Sequence, residues 1–412
     1  MAILFFWLTK FLTFGLESLF ALARLPALFS YPLLFVAGIV MQSIGFTCQA
    51  VRWLAKGCRR HKQGDPRVLR TPEERFEKLE AYPFASHYFE LDGIRLHYVD
   101  EGPKDASDVV VLIHGMPAWS YCYRKVIPAL VSEGHRVLAL DFCGCGKSDK
   151  PIDASKILFE SHVASISKLI SHVKINQPKV TLVIHDWGSL IGQTALPMLD
   201  GVLKRLVILN AFAGPKLFGT LKGRLLFVVW NGLVRVMGRA IPAGELNAAD
   251  AGGPSVVGAA AEAGYSAPFP DADYKGLMAN WPLSYNDKNG VVMAYTASLG
   301  WMQENLKVPV LVAFGKEDLI LELESAYTFF KGWMKNAPSV ERVAISGAGH
   351  FPMESHDMAL TAAIINFMRT TCCYAKPTAT TDCYALPNSS LSRCMPASCL
   401  PKRIHYLQGI GE

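Results

Sequence analysis

The sequence predicts a mostly parallel β-sheet covered on both faces by helices, with a helical insertion late in the chain. Three patterns predict it. First, from Val109 onward short apolar runs alternate with helical stretches: V-V-V-L-I, R-V-L-A-L, V-T-L-V-I, R-L-V-I-L, V-P-V-L-V-A and R-V-A-I. Near-continuous apolar runs mark strands buried on both faces, the habit of parallel sheets. Second, H-Y-F-E-L-D-G-I-R-L-H-Y-V-D-E-G alternates apolar and polar residues about Asp92-Gly93. That is a hairpin signal, so the first strand pair should be antiparallel. Third, the alternation stops after Asn210, and helical spacing runs to about Leu299, broken by the Gly/Ala-rich A-A-D-A-G-G-P-S-V-V-G-A-A-A near residue 250. This segment reads as a helical cap that closes an apolar pocket over the sheet.

The ends of the chain differ from this body. Of 412 residues, 51% are hydrophobic and 18% charged, and the mean hydropathy of +0.22 points to a membrane segment. Leu25 to Val51 contains no charged residue, long enough to cross a hydrocarbon core of roughly 30 Å. Met1 to Ala23 is also apolar but carries Lys10 and Glu17, and the apolar material is too long for a signal peptide. The basic cluster Arg52, Lys56, Arg59, Arg60 and Lys62 follows, suited to anionic headgroups and to the cytoplasmic side of a membrane. It nearly accounts for the formal charge of +6, which removes the case for nucleic-acid binding. The division expected is an anchor over 1–62, a connector with a short helix over 63–84 and a core over 85–211. A cap over 212–299, a second core part over 300–369 and a Cys-rich tail outside the folded domain over 370–412 complete it. A cytosolic chain of this length would keep its ten cysteines reduced.

The chemistry concentrates at strand ends. V-T-L-V-I-H-D-W-G-S-L-I-G, Val180 to Gly192, is an apolar strand that stops at Asp186 and enters a Gly-containing helix. This is the strand–turn–helix of a nucleophile elbow, with aspartate where the better-known motif has serine. A carboxylate can displace a leaving group from saturated carbon and form an alkyl ester. V-P-V-L-V-A-F-G-K-E-D ends at Asp318, and R-V-A-I-S-G-A-G-H-F places His350 in a Gly-rich turn. Nucleophile, acid and histidine therefore stand in the order this arrangement requires, each past the carboxyl end of a strand, where open sheets place their sites. V-V-V-L-I-H-G-M-P closes on a tight turn, and the backbone N–H groups of Met116 and Trp187 are the natural oxyanion-hole pair. Gly146-Lys147-Ser148 only imitates a phosphate loop, since Asp141 stands where that motif needs glycine. Cys143 and Cys145 lack the second pair or histidine array of a metal site, and no cofactor is implied.

Together the motifs resemble the α/β-hydrolase superfamily and, within it, the haloalkane dehalogenases. The likeness rests on H-G-M-P-A-W-S-Y-C-Y-R from His114, D-F-C-G-C-G-K-S-D-K-P from Asp141, I-H-D-W-G-S from Ile184, E-A-G-Y-S-A-P-F-P-D from Glu262 and G-A-G-H-F from Gly347, and it spans residues 85 to 370. It is nearest the branch that holds halide with two tryptophans. The resemblance implies that Asp186 attacks the halogen-bearing carbon and that His350, held by Asp318, activates the water that hydrolyses the ester. It also implies halide donors at Trp187 and, in the cap, Trp230, with Trp281 lining the pocket. Met116 replaces the asparagine that donates to halide in the larger branch. The substrate would be a small hydrophobic organic molecule, and no oligomeric state is implied.

Other readings share the scaffold. Epoxide hydrolases use the same turn and aspartate elbow, with paired cap tyrosines; Tyr265, Tyr274, Tyr285 and Tyr295 all fall in the cap region. A cofactor-free luciferase-like oxygenase and a non-catalytic binding protein are readings of another class, and the complete triad argues against the second.

Overall fold

The computed structural model describes residues 32–37, 39–40, 43–44, 67–153, 157–214, 220–250, 254–278 and 291–372. Most of the expected anchor, the tail beyond Cys372, and Trp281 and Tyr285 lie outside them. Among the described residues no helix is long and apolar enough to cross a membrane.

The chain enters through β1 (Val68–Leu69), which later pairs antiparallel with β6 (Lys150–Pro151). The connector forms one 3-10 turn, Glu73–Arg75, where the sequence suggests a short helix. Thr71 and Arg75 instead donate side-chain hydrogen bonds to the carbonyls of Pro268 and Ala267, and Phe76 packs edge-on against Trp119. These ties fix the backbone from both ends, and Pro72 at the N-cap provides no side-chain cap.

The hairpin β2 (His87–Leu91) and β3 (Ile94–Glu101) turns through Asp92 and Gly93, both at positive φ, as the sequence predicts. β4 (Val109–Ile113), α1 (Val126–Ser132), β5 (Arg136–Leu140), α2 (Phe159–His172), β7 (Val180–Asp186), α3 (Trp187–Ala195) and β8 (Leu203–Ala211) follow. The cap contributes α4 (Leu221–Met237), α5 (Ala243–Asp250) and α6 (Pro254–Ser266), the last broken at Gly258. The chain closes with α7 (Val291–Asn305), β9 (Val310–Gly315), α8 (Leu323–Trp333), β10 (Val340–Ile345), the single turn α9 (Pro352–Ser355) and α10 (Asp357–Thr370). Residue 299, the expected edge of the cap, falls inside α7, which packs on the core helix α3.

The eight-stranded sheet runs β10-β9-β8-β7-β4-β5-β3-β2, parallel from β10 to β5 and antiparallel over the last two pairs. Every residue of β4, β5, β7 and β9 is buried. Because successive side chains point to opposite faces, full burial requires helices on both. The order reverses at β4, with β5 on one side and β7 on the other. The crevice at the carboxyl ends of such a reversal is where open α/β sheets bind ligands. Here the H-G-M-P turn and Asp186 meet at those ends, with the Met116 N–H on the Asp186 carboxylate.

Candidate active site

Asp186 is the last residue of β7 and the N-cap of α3, with φ 49° and ψ −128°. A non-glycine residue in that region costs on the order of 1–3 kcal/mol, and it persists only where the surroundings over-determine it. They do so here. The Ser189 hydroxyl donates to the Asp186 carbonyl at 2.6 Å and accepts from the Phe212 N–H at 3.1 Å. The glycines of the motifs are explained by close approach: a Cβ at Gly188 would collide with the His114 carbonyl, and one at Gly115 with the Asp186 carboxylate. Ile184 occupies the place of the usual first glycine of the elbow. Its side chain fits because Gly192, against it, has no Cβ.

The triad residues named from sequence come together. His350 Nδ1 lies 2.8 Å from Asp318 Oδ2, and its Nε2 lies 3.3 Å from Asp186 Oδ1. The other carboxylate oxygen, Asp186 Oδ2, accepts the Met116 N–H at 3.0 Å, the contact expected of one oxyanion-hole donor. The peptide bond from Met116 to Pro117 is cis. Trp187 is buried, with its ring tilted against Phe212 at 5.5 Å. Trp230 lies on α4, half-buried against the cap cluster of Leu233, Val234, Met237 and Phe269, whereas Trp187 belongs to the main core.

Asp318 is oriented by more than His350. Its Oδ1 accepts the N–H groups of Ile320 at 2.8 Å and Leu321 at 3.0 Å, and its Oδ2 accepts Asn210 Nδ2 at 2.7 Å. Burial pushes the Asp318 carboxyl up, but the His350 imidazole, Asn210 and the Leu321 N–H outweigh it and hold the group below its ordinary value. It stays ionised, as the orienting acid of such a triad must.

Sequence reasoning missed Asn210. The β7–β8 register skips it, pairing His185 with Leu209 and Asp186 with Ala211. Asn210 is thus the extra residue of a bulge, at φ 38°. The bulge turns its side chain toward the acid loop, where Oδ1 also accepts the Gly315 N–H at 3.0 Å. An asparagine at a strand end, one of the few residues tolerant of positive φ, was the available signal. His185 was missed too. Its Nε2 lies 2.9 Å from the His350 carbonyl and its ring packs 4.9 Å from the His350 ring. Burial first, and the charge of His350 second, lower the His185 pKa to about 4. It is therefore neutral near pH 7 and donates to that carbonyl without adding charge beside the base.

The cap tyrosines are engaged elsewhere. The Tyr265 hydroxyl donates to Glu354, which also pairs with Arg124, and all three are buried. The Tyr295 hydroxyl donates to Gln193 Oε1 at 3.2 Å and accepts the Gly214 N–H at 3.2 Å. Tyr274 packs on the cap cluster.

A carboxylate at an elbow, a histidine between it and a second acid, and a backbone donor on the first carboxylate's far oxygen are the arrangement of an α/β-fold hydrolase site. The chain matches the α/β-hydrolase fold family over residues 108–357. It is 37% identical to a haloalkane dehalogenase of Mycobacterium marinum over 263 residues, covering 62% of this chain and 84% of that one. The solved haloalkane dehalogenase DpaA from Paraglaciecola agarilytica superposes with a TM-score of 0.63 at 32% identity, over 72% of this chain and 97% of the other. A cis-3-alkyl-4-alkyloxetan-2-one decarboxylase of Shewanella oneidensis is 28% identical, over 70% of this chain and 90% of that protein. The chain belongs to the α/β-hydrolase family and, within it, is a haloalkane dehalogenase-like hydrolase.

Proposed function

We propose that this protein cleaves carbon–halogen bonds of hydrophobic organic substrates in two steps. Asp186 Oδ1 attacks the halogen-bearing carbon in line, the carbon–halogen bond breaks, and halide leaves with the bonding pair. The product is an alkyl-aspartyl ester whose carbonyl oxygen is Oδ2. His350 Nε2 then takes a proton from water, and the resulting hydroxide adds to the carboxyl carbon of Asp186. The negative charge collects on Oδ2, against the Met116 N–H; collapse breaks the bond between the carboxyl carbon and Oδ1, and the imidazolium returns its proton to that oxygen to release the alcohol. Asp318, itself held by Asn210, stabilises the imidazolium formed in between. The observation that carries this reading is the division of labour on one carboxylate, with Oδ1 toward the base and Oδ2 on the backbone donor. The indoles of Trp187 and Trp230 are proposed as the halide cradle, with Trp281 lining the pocket.

The test is halide release from a series of bromoalkanes of increasing chain length. The wild type should release bromide, and Asp186→Asn should lose on the order of 10⁴-fold or more of that activity. Bromide release that survives the substitution would refute the nucleophile.

Residues 1–62 are proposed as a membrane tether, with the catalytic domain on the cytoplasmic side. The uncharged run from Leu25 to Val51 and the basic cluster after it support this. Resistance to alkaline carbonate extraction checks it.

One observation favours a second substrate class. Met116 has no side-chain donor, and Trp230 packs on the cap cluster while Trp187 belongs to the main core. A strained lactone carries its leaving group within its own ring and needs no halide cradle. Carbon dioxide released from a dialkyl oxetanone, with no bromide from bromoalkanes, would select it. The epoxide reading is weakened by the hydroxyls of Tyr265 and Tyr295, both committed to protein partners.

A further inference from the structure

The outer face of α4 is apolar where a surface helix is ordinarily polar. Leu221 and Val228 are 55% and 42% exposed. With Leu225 they repeat at i, i+4 and i+7, one stripe along the helix. The stripe adjoins the N-terminal segment. Leu34 is fully buried in a small cluster with Leu226, against which Leu225, Leu319 and Ile320 pack. Around it Leu33, Phe35, Val36, Ile39, Val40 and Ile44 are exposed. An apolar surface thus passes from the N-terminal segment onto the cap and reaches the loop of Asp318. Scattered exposed leucines need no explanation, but a contiguous set does.

Charge selects the occupant. Along its whole length α4 carries Lys222, Arg224 and Arg235 and no acidic residue. The adjoining sequence, Leu25 to Val51, is uncharged, and the basic cluster follows it. Apolar side chains flanked by cations are the composition of a helix seated at an anionic lipid surface. The inner side of the same helix carries Trp230 and buries Leu233 and Val234 in the cap cluster. We infer that α4, beside the N-terminal segment around Leu34, is a bilayer-docking surface that lays the cap on an anionic membrane, so that apolar substrates reach the site from the lipid. This rests on the membrane reading above and extends it from the tether to the cap.

The experiment uses the full chain reconstituted in vesicles of phosphatidylcholine with a minority of phosphatidylserine. A trace of phosphatidylcholine carries a photoreactive diazirine in its acyl chain. After irradiation and tryptic digestion, carbene adducts are mapped by mass spectrometry. The expected result is insertion in the peptide Leu225–Arg235 as well as in 25–51, with background in the peptide holding Met358. That residue is 82% exposed on α10 and serves as a control for mere accessibility. The double substitution Leu221→Glu and Val228→Glu, at positions already exposed, should abolish insertion in the α4 peptide and leave that in 25–51 intact. Insertion confined to 25–51 in the wild type would overturn the docking surface while the tether stood, and would give the α4 face to a protein partner. Insertion in neither segment would overturn both.

Discussion

At the carboxyl ends of the strands Asp186, Asp318 and His350 are held by backbone and by buried polar partners, whereas on the cap helix α4 Trp230 packs on apolar neighbours, with no polar partner among the described residues. Asp186 is fixed by a strained turn, Asp318 by two backbone N–H groups and Asn210, and His350 by Asp318 and a carbonyl bond to His185. Trp230 rests half-buried on apolar neighbours. On the proposed mechanism the chemistry falls to the strand ends, where little misplacement is tolerated. The same proposal leaves selection and access to the cap, whose apolar surfaces can adjust by repacking.

Three substitutions or conditions sharpen that contrast. Asn210→Ala removes a hydrogen bond to the buried, ionised Asp318. Such bonds contribute about 1.5–3 kcal/mol, so kcat should fall about 10–100-fold with KM little changed. A KM effect alone would place Asn210 in binding instead. Trp230→Phe keeps the packing and deletes one indole donor. KM for a bromoalkane should rise about 2–10-fold and the folded stability should barely move. An unchanged KM would remove Trp230 from the halide cradle and strengthen the lactone reading.

The smallest effect concerns stability against pH. Burial lowers the pKa of His185 to about 4, with the charge of His350 adding to it, and burial lowers that of His162 to about 3, with His114 adding. Unfolded, both titrate near 6.5. Above that pH both states are neutral and neither histidine contributes a pH dependence. As pH falls through 6.5 the unfolded chain takes up protons that the folded one refuses, so stability declines until the folded pKa values are reached. The melting temperature should drop by several degrees between pH 7 and pH 4. His185→Gln, which keeps a donor toward the His350 carbonyl, should shrink that drop; an unaltered drop would assign the acid lability elsewhere.

The parts legible in the sequence were those with short-range causes. Apolar runs give buried strands, and a strand that stops on Asp, Gly-Met-Pro or Gly-His gives a strand-end loop. The six strands from Val109 onward, the Asp92-Gly93 hairpin and the convergence of Asp186, Asp318 and His350 follow directly. Asn210 was hidden because a one-residue bulge leaves no mark in an apolar pattern, and only the paired strand reveals the skip. His185 was hidden because its neighbour Asp186 drew the motif to itself. In the cap, the helical spacing of α4 gives the element and not the partner of each face. Trp230 and the outward stripe of Leu221 and Val228 were therefore not assigned to opposite sides until the packing was seen. In the connector the expected short helix is the 3-10 turn Glu73–Arg75, and the side chains of Thr71 and Arg75 tie that stretch to the carbonyls of Pro268 and Ala267.

The central claim is a covalent ester on Asp186 that His350 is needed to release. The direct measurement is the intact mass of His350→Phe after exposure to a bromoalkane, followed by peptide mapping. The account predicts an adduct equal to the bromoalkane less HBr, confined to the peptide containing Asp186 and absent from Asp186→Asn with His350→Phe. Turnover by the His350→Phe variant with no adduct at Asp186, or an adduct on another residue, would contradict it.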